Sequence, residues 1–177
     1  LYPGQQETQV CPTSTFMSQD IYKAHEAPVK EEVSTRLLEY WLPYHRKLRL
    51  ELERMVSEFG YALLWDAHSI QSQLPVFFQG TLPDLNMGTA GGALCDQSLG
   101  DAIYNELAES EYRAVRDGRF KGGYITRHYG KPEHGVHAVQ MEISQITYMS
   151  EYPDFVFDKD KADRLRPVLK RMIETML

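Results

Sequence analysis

The spacing of apolar side chains predicts where helices form in this 177-residue chain. From residue 29 to residue 59, apolar residues recur every three or four positions with charged residues between them, which indicates one long amphipathic helix. Pro43 lies inside that pattern and is expected to kink or divide the helix near Trp41 and Leu42. The same spacing predicts helices over residues 97–109 and 159–176.

Other stretches alternate or carry short apolar runs, as β-strands do. The apolar run Tyr61–Ile70 predicts a buried strand, and alternation predicts a short strand at residues 85–87 and a clear one at 136–144. Tyr124–Tyr129 has the composition of a further strand. Residues 1–28 carry scattered prolines and read as loop. The mixture predicts a layered α/β fold with some non-parallel strands.

Asp66 and His68 stand two residues apart near the end of the first predicted strand. Because side chains alternate across a strand, both lie on one face, at the carboxyl end where α/β sheets bind ligands. An imidazole there can hold a metal ion or move a proton. A histidine that is merely hydrogen-bonded at a strand end is the alternative.

Glu142 lies within the strand predicted at 136–144, on the same face as Gln140 and Ser144. A carboxylate is costly to bury unless it is paired or functional, which makes Glu142 a candidate catalytic group. The alternative is a solvent-facing glutamate on an edge strand.

Cationic residues cluster beside paired glycines in the stretch from Arg119 to Gly130. Lys121, Arg127 and His128 could form an anion-binding rim, and Arg127 suits a carboxylate because guanidinium donates two parallel hydrogen bonds. Charges on an exposed edge strand are the alternative.

Composition excludes several function classes. The net charge of −6 argues against nucleic-acid binding, and no stretch approaches the roughly 18 apolar residues of a membrane span. Two cysteines, Cys11 and Cys95, are too few for a disulfide framework, so reduced thiols in a cytoplasmic protein are expected. The length predicts a single domain over residues 1–177.

Imidazole and carboxylate together suit a metal hydrolase. A catalytic zinc usually has three protein ligands, however, and spacing nominates only one or two here, with no HExxH motif. A serine hydrolase using Ser69 is disfavoured, because adjacent strand residues point to opposite faces and no GxSxG motif is present.

Several long strings resemble the N-formylglutamate amidohydrolase family. They are Leu63-Leu-Trp-Asp-Ala-His-Ser-Ile70, Leu82-Pro-Asp-Leu-Asn-Met-Gly-Thr89, Gly118-Arg-Phe-Lys-Gly-Gly-Tyr-Ile-Thr-Arg-His-Tyr-Gly130, Val139-Gln-Met-Glu-Ile-Ser-Gln145, and the opening Leu1-Tyr-Pro-Gly with Cys11-Pro-Thr and Thr15-Phe16. The resemblance implies a phosphorylase/hydrolase-like, zinc-carboxypeptidase-like fold, with a three-layer mixed sheet and helices on both faces. It also implies a divalent metal, zinc, and hydrolysis of N-formyl-L-glutamate to formate and L-glutamate in histidine degradation.

By the same resemblance, His68 matches the last metal ligand of the family, with Asp66 beside it, and Glu142 is the general acid/base. Arg127 is the expected anchor for a glutamate carboxylate, assisted by Lys121, Asn86 or His128; these binding roles are inferred from charge alone.

The chain departs from the family pattern at its front. The segment in which family members carry a Pro-His-x-Gly motif is not found before Leu1, so the chain is expected to be the carboxyl-terminal portion of a longer amidohydrolase domain. Two alternatives stay open: a related metal amidohydrolase for another N-acyl amino acid, and a non-catalytic carboxylate-binding α/β module. Oligomeric state is open as well.

Overall fold

The computed structural model describes residues 9–177, so the Leu1-Tyr-Pro-Gly string lies outside the described residues. The elements in chain order are α1 (Lys30–Arg36), a π-helical turn (Leu37–Trp41), α2 (Leu42–Phe59), β1 (Ala62–Ile70), β2 (Leu85–Gly88), α3 (Gln97–Ala108), β3 (Ala114–Arg116), α4 (Tyr124–Tyr129), β4 (Val136–Ser144) and α5 (Lys159–Met176), with 3₁₀ turns at Pro132–His134 and Gln145–Thr147. They fall into two compact units, whose boundary runs through α2.

The first unit comprises residues up to Glu51 together with Leu74–Phe78. Its described loop contains turns and one isolated bridge, between Ser14 and Asp20, as the loop prediction required. The predicted helix is present, and its backbone stays helical from α1 through the π-helical turn into α2, with Leu42 in the αR region. The irregularity predicted near Trp41 and Leu42 is this π-helical turn, which directly precedes Pro43.

The second unit holds residues 52–73 and 79–177 and contains the sheet. Within the described residues the sheet has four strands in the order β1-β4-β2-β3. β1 runs parallel to β4, β4 antiparallel to β2, and β2 parallel to β3, so the sheet is mixed as predicted. The strands predicted around Leu63, Met87 and Val139 are all present. The prediction that the first of them is buried is wrong, because β1 lies at the edge of the described sheet and only its Ala62 is buried.

One face of this sheet is packed against helices. Its buried apolar residues pack with those of α3 and α5 into one cluster, whose members are Leu85, Met87, Cys95, Ile103, Leu107, Val139, Met141, Leu165, Val168, Met172 and Met176. Both helices begin at aspartate caps: Asp96 accepts hydrogen bonds from the backbone of Ser98 and Leu99, and Asp158 accepts one from that of Lys161. The cluster fixes the odd-numbered side chains of β4 inward, and the even-numbered ones therefore face the other way.

The prediction of a strand at Tyr124–Tyr129 is wrong, because these residues form helix α4. β-branched and aromatic residues favour strands only where neighbouring strands can pair with them. Here Gly123 precedes a helical turn in which Arg127 N–H donates to the Gly123 carbonyl, and the Thr126 side chain is fully buried. Tertiary packing therefore decides the conformation of this segment.

The short strand β3 was not predicted, because three residues are too few to show a period. It pairs with β2 at the edge of the sheet. No helix among the described residues is both long and apolar enough to cross a bilayer.

Candidate active site

The polar face of the sheet carries the candidate residues in two rows that follow the strand register. In one row, His68 of β1, Glu142 of β4 and Asn86 of β2 lie opposite one another. In the next row, Asp66 and Gln140 lie beside Gly88. Strand alternation thus brings residues that are far apart in sequence onto one surface, next to the carboxyl ends of β1 and β4.

Asp66 and His68 are hydrogen-bonded, as their shared face predicts, with 3.1 Å between His68 Nε2 and Asp66 Oδ1. The Asp66 side chain is 11% exposed and that of His68 is 46% exposed, so the imidazole reaches solvent. The hydrogen bond to Asp66 raises the pKa of His68, against the opposing effect of burial. His68 is therefore oriented by a carboxylate at an open edge of the surface.

Glu142 is not on an edge strand. β4 is paired on both sides, and Glu142 is only 6% exposed. Burial raises the pKa of Glu142 to about 7, and the negative charge of Asp66 adds to the rise, while His68 and Gln140 oppose it. A carboxyl group that titrates near neutral pH can both accept and donate a proton under working conditions.

Asn86 supports the row from the neighbouring strand. Its amide nitrogen donates to the Pro83 carbonyl at 2.9 Å and to the Glu142 main-chain carbonyl at 3.2 Å. Its Oδ1 is buried without a hydrogen-bond partner among the described residues, and so is the Ser144 hydroxyl two positions after Glu142. Because Asn86 is 1% exposed, its substrate-binding role stays a prediction that needs the substrate to reach a buried amide.

The segment from Phe120 to Gly123 lies directly on this polar face. A Cβ atom added to Gly88 would come within 2.6 Å of the Gly122 nitrogen and 2.9 Å of the Lys121 carbonyl carbon. A residue with a side chain at position 88 would therefore exclude this close backbone approach.

The three predicted cationic residues belong to that segment and to α4, and all are exposed. Arg127 Nε donates to the Gly122 carbonyl at 2.7 Å, and the His128 ring stacks on Tyr124 with 5.0 Å between centroids. Within residues 9–177, no hydrogen bond or ion pair joins Lys121, Arg127 or His128 to the Glu142 side chain. Their roles in binding stay predictions.

Ser69 has a different partner from the one that a serine hydrolase requires. The Tyr148 hydroxyl lies 2.8 Å from the Ser69 hydroxyl, and strand alternation points Ser69 away from His68. His68 is instead bonded to Asp66. The arrangement gives no support to a Ser–His pair.

The donor atoms for a metal ion are of the right kind but few. His68 and Asp66 supply an imidazole and a carboxylate, which are both common zinc ligands. Among the described residues, no group of three or more His, Cys, Asp and Glu side chains is arranged to hold a metal. The zinc centre therefore stays a prediction in which this part of the chain supplies two ligands at most.

Gln140 and Gly88 are parts of this surface to which the sequence reasoning gave no role. The period of β4 placed Gln140 on the face of Glu142, and that was the available signal. Nothing in the sequence revealed that Gly88 lies opposite Gln140, because that pairing depends on the register between β2 and β4.

Comparison with known proteins shows which family the chain belongs to. The model of the N-formylglutamate amidohydrolase family matches residues 1–149. The chain is 48% identical over 171 residues to N-formylglutamate deformylase of Pseudomonas aeruginosa, and 46% identical over 178 residues to that of Pseudomonas putida. These matches cover 96% and 100% of this chain but only 64% and 66% of the two relatives.

Solved structures show the same fold. The N-formylglutamate amidohydrolase from Ralstonia eutropha JMP134 superimposes with a TM-score of 0.77 at 24% identity, over 93% of this chain and 58% of that one. A gene product of Agrobacterium tumefaciens gives a TM-score of 0.65 at 13% identity, over 93% and 62%. On the family match and the two close relatives, this chain belongs to the N-formylglutamate amidohydrolase family.

Proposed function

We propose that the protein containing this chain hydrolyses N-formyl-L-glutamate to formate and L-glutamate. The observation that carries the proposal is the buried Glu142 beside the Asp66–His68 pair, on a chain related throughout its length to two N-formylglutamate deformylases. Amide hydrolysis needs a group that takes a proton from water and returns one to the leaving amine. A carboxyl whose pKa is about 7 suits both steps.

Glu142 is the general acid/base in this proposal. Its place on an interior strand holds the carboxyl group fixed, and the strand register sets it opposite His68. As a base it removes a proton from the attacking water. As an acid it then protonates the glutamate nitrogen, so that the C–N bond breaks and free L-glutamate leaves.

A divalent metal, zinc by the family resemblance, would be held by His68 and Asp66 together with ligands outside the described residues. When bound, such an ion activates water and polarises the formyl carbonyl. If Asp66 does not ligate, its bond to His68 Nε2 orients the ring. The proposal includes the phosphorylase/hydrolase-like, zinc-carboxypeptidase-like form of the mixed α/β fold and a cytoplasmic location, with both thiols reduced.

The substrate carries two carboxylates, and the protein around it is acidic. Lys121 is an exposed cation on the segment that crosses the polar face, and Arg127 and His128 are exposed on α4, which follows that segment. Arg127 is proposed as the main carboxylate anchor, because a guanidinium holds a carboxylate through two hydrogen bonds. Lys121 adds positive charge nearby, His128 offers an imidazole, and Asn86 assists from the sheet.

The test is an assay of amino-acid release by the intact protein, which detects L-glutamate from N-formylglutamate and, in parallel, L-aspartate from N-acetylaspartate. We expect turnover of N-formylglutamate to be at least a hundredfold more efficient than that of N-acetylaspartate, since the acetyl methyl has to fit where the formyl group has only a hydrogen and aspartate is one methylene shorter than glutamate. Preference for N-acetylaspartate would assign the protein to another N-acyl amino acid. Binding of either without turnover would make it a carboxylate-binding module.

The matched variant is Glu142→Gln, which keeps the shape of the side chain and removes its proton chemistry. We expect turnover to fall at least a thousandfold while substrate binding, measured by calorimetry, changes less than threefold. The control is Glu133→Gln, whose side chain is 65% exposed and lies in the 3₁₀ turn that precedes β4. Near-normal turnover of Glu142→Gln would remove Glu142 from the chemistry.

A further inference from the structure

Gln140 makes two contacts on the polar face that connect Glu142 to the segment above the sheet. It is 5% exposed and precedes Glu142 by two residues on β4. Its Oε1 accepts a hydrogen bond from the Gly123 N–H at 2.5 Å. Its Nε2 faces Glu142 Oε2 at 3.5 Å, which is longer than the usual N–H···O hydrogen bond of about 2.7–3.2 Å, so this contact is a weak one.

The orientation of the Gln140 amide follows from the first contact. A backbone N–H can only donate, so the side-chain atom that faces Gly123 must be the oxygen. The NH₂ group is then turned toward the Glu142 carboxyl. The Asn86 amide does not share this task, because it donates to the main-chain carbonyl of Glu142. Among the described side chains, Gln140 is the one whose donor group contacts that carboxyl group.

The Gly123 turn can reach Gln140 only because the neighbouring positions lack side chains. Gly88 lies opposite Gln140 in the register, and a Cβ there would meet the Gly122 nitrogen at 2.6 Å. A Cβ on Gly123 itself would stand 3.1 Å from Gln140 Oε1. The same segment continues into α4, which carries Arg127.

We propose that Gln140 is a positioning residue, which holds the Glu142 carboxyl group and the Gly123 turn in a fixed relation to each other. The catalytic part of this inference rests on the acid/base role proposed for Glu142. The Gln140 amide contacts both the Glu142 carboxyl group, which transfers protons, and the Gly123 turn, which leads into the helix that carries Arg127. Loss of the NH₂ donor should affect chemistry alone, whereas loss of the whole amide should affect chemistry and binding.

Two variants of the intact protein separate these effects. Gln140→Glu keeps an oxygen for the Gly123 N–H but replaces the NH₂ group with a carboxylate that faces Glu142 and Asp66, while Gln140→Met has neither group. With N-formylglutamate, we expect kcat to fall at least tenfold in both variants. KM should rise at least threefold for Gln140→Met, whereas in Gln140→Glu the state of the Gly123 contact is measured by amide exchange and not by KM, because the added charge itself repels a dianionic substrate. Gln73→Met, at an exposed loop position bonded to Thr81, is the control and should match the parent.

A second readout needs no substrate. Hydrogen exchange of the Gly123 amide, followed by NMR, should be at least tenfold faster in Gln140→Met than in the parent and nearly unchanged in Gln140→Glu. Unchanged exchange in Gln140→Met, or parental kcat in Gln140→Glu, overturns the inference. A protein that never cleaves N-formylglutamate yet shows Gln140-dependent exchange at Gly123 contradicts the proposed function and supports the link between Gln140 and the turn.

Discussion

At the scale of single residues, burial of a functional side chain can lower the stability of the fold, and Glu142 is the clearest case. Its pKa is raised to about 7 from an ordinary value of 4.5, chiefly by burial. In the metal-free protein between these pH values, the unfolded carboxyl is ionised while the folded one keeps its proton. The folded state therefore loses stability as the pH rises from 4.5 through 7, by about 3 kcal/mol in all.

Glu142→Gln removes this ionisation, and we expect it to stabilise the chelator-treated protein at pH 8 by about 2–3 kcal/mol over the parent. At pH 5 the free energies of unfolding of the two proteins should differ by less than about 1 kcal/mol, because pH 5 lies just above the ordinary pKa of 4.5 and the cost of keeping the proton in the folded state is still small. Urea unfolding at both pH values measures the difference. His68 and Asp66 also face this carboxyl group, so Glu133→Gln, at an exposed position, is the control for general charge effects. An equal difference at both pH values would contradict the burial argument.

Arg127 tests the binding half of the site. Its guanidinium is exposed, and it donates to the Gly122 carbonyl. We expect Arg127→Ala to raise KM for N-formylglutamate at least tenfold with kcat changed less than threefold, because a lost carboxylate anchor weakens ground state and transition state equally. Steady-state kinetics decides the matter. Arg166→Ala, on the exposed surface of α5, is the matched control. An unchanged KM would remove Arg127 from the site.

At the scale of elements, the sequence predicted those with a long, clear period and missed those set by tertiary contacts. β1, β4, α3 and α5 were found because their apolar residues face one cluster at regular spacing. α4 was predicted as a strand, since its composition is that of a strand and its helical state depends on the Gly123 turn. For the two rows of the site, strand alternation predicted which side chains share a face of each strand. It could not predict that Glu142 lies opposite His68 and Asn86, because that depends on the register between strands.

Gly88 shows how one position in a strand fixes a neighbouring element. We expect Gly88→Ala to destabilise the protein by about 1–3 kcal/mol, because the new methyl group would meet backbone atoms of Lys121 and Gly122, which cannot rotate away. Chemical unfolding measures the loss. Gly100→Ala is the control: its nearest contact is the Cys95 sulfur at 3.3 Å, and alanine favours helix α3, so stability should stay within about 1 kcal/mol. Equal effects at the two positions would contradict the close approach.

At the scale of the whole molecule, the chain carries the family's acid/base candidate and a histidine–aspartate pair, while it spans 64% and 66% of the two relatives. The family was predicted correctly from long strings of sequence, and the mixed α/β fold from the mixture of helices and strands along the chain. The full set of metal ligands could not be predicted from the sequence, because two donor residues on one strand do not define a coordination sphere.

Zinc linkage in the intact protein tests that centre directly. A ligand that binds only the folded state stabilises it, by about 2.7 kcal/mol at a hundred times Kd. We therefore expect added zinc to raise the Tm of chelator-treated protein by several degrees and to restore turnover lost on chelation. His68→Ala should abolish the zinc-dependent rise in Tm, because it removes an imidazole ligand, whereas His134→Ala, at a 72% exposed position, should keep it. A full zinc-dependent rise in Tm for His68→Ala would place the metal elsewhere. Glu142 would then have to act without a metal ion on His68, the residue opposite it in the strand register.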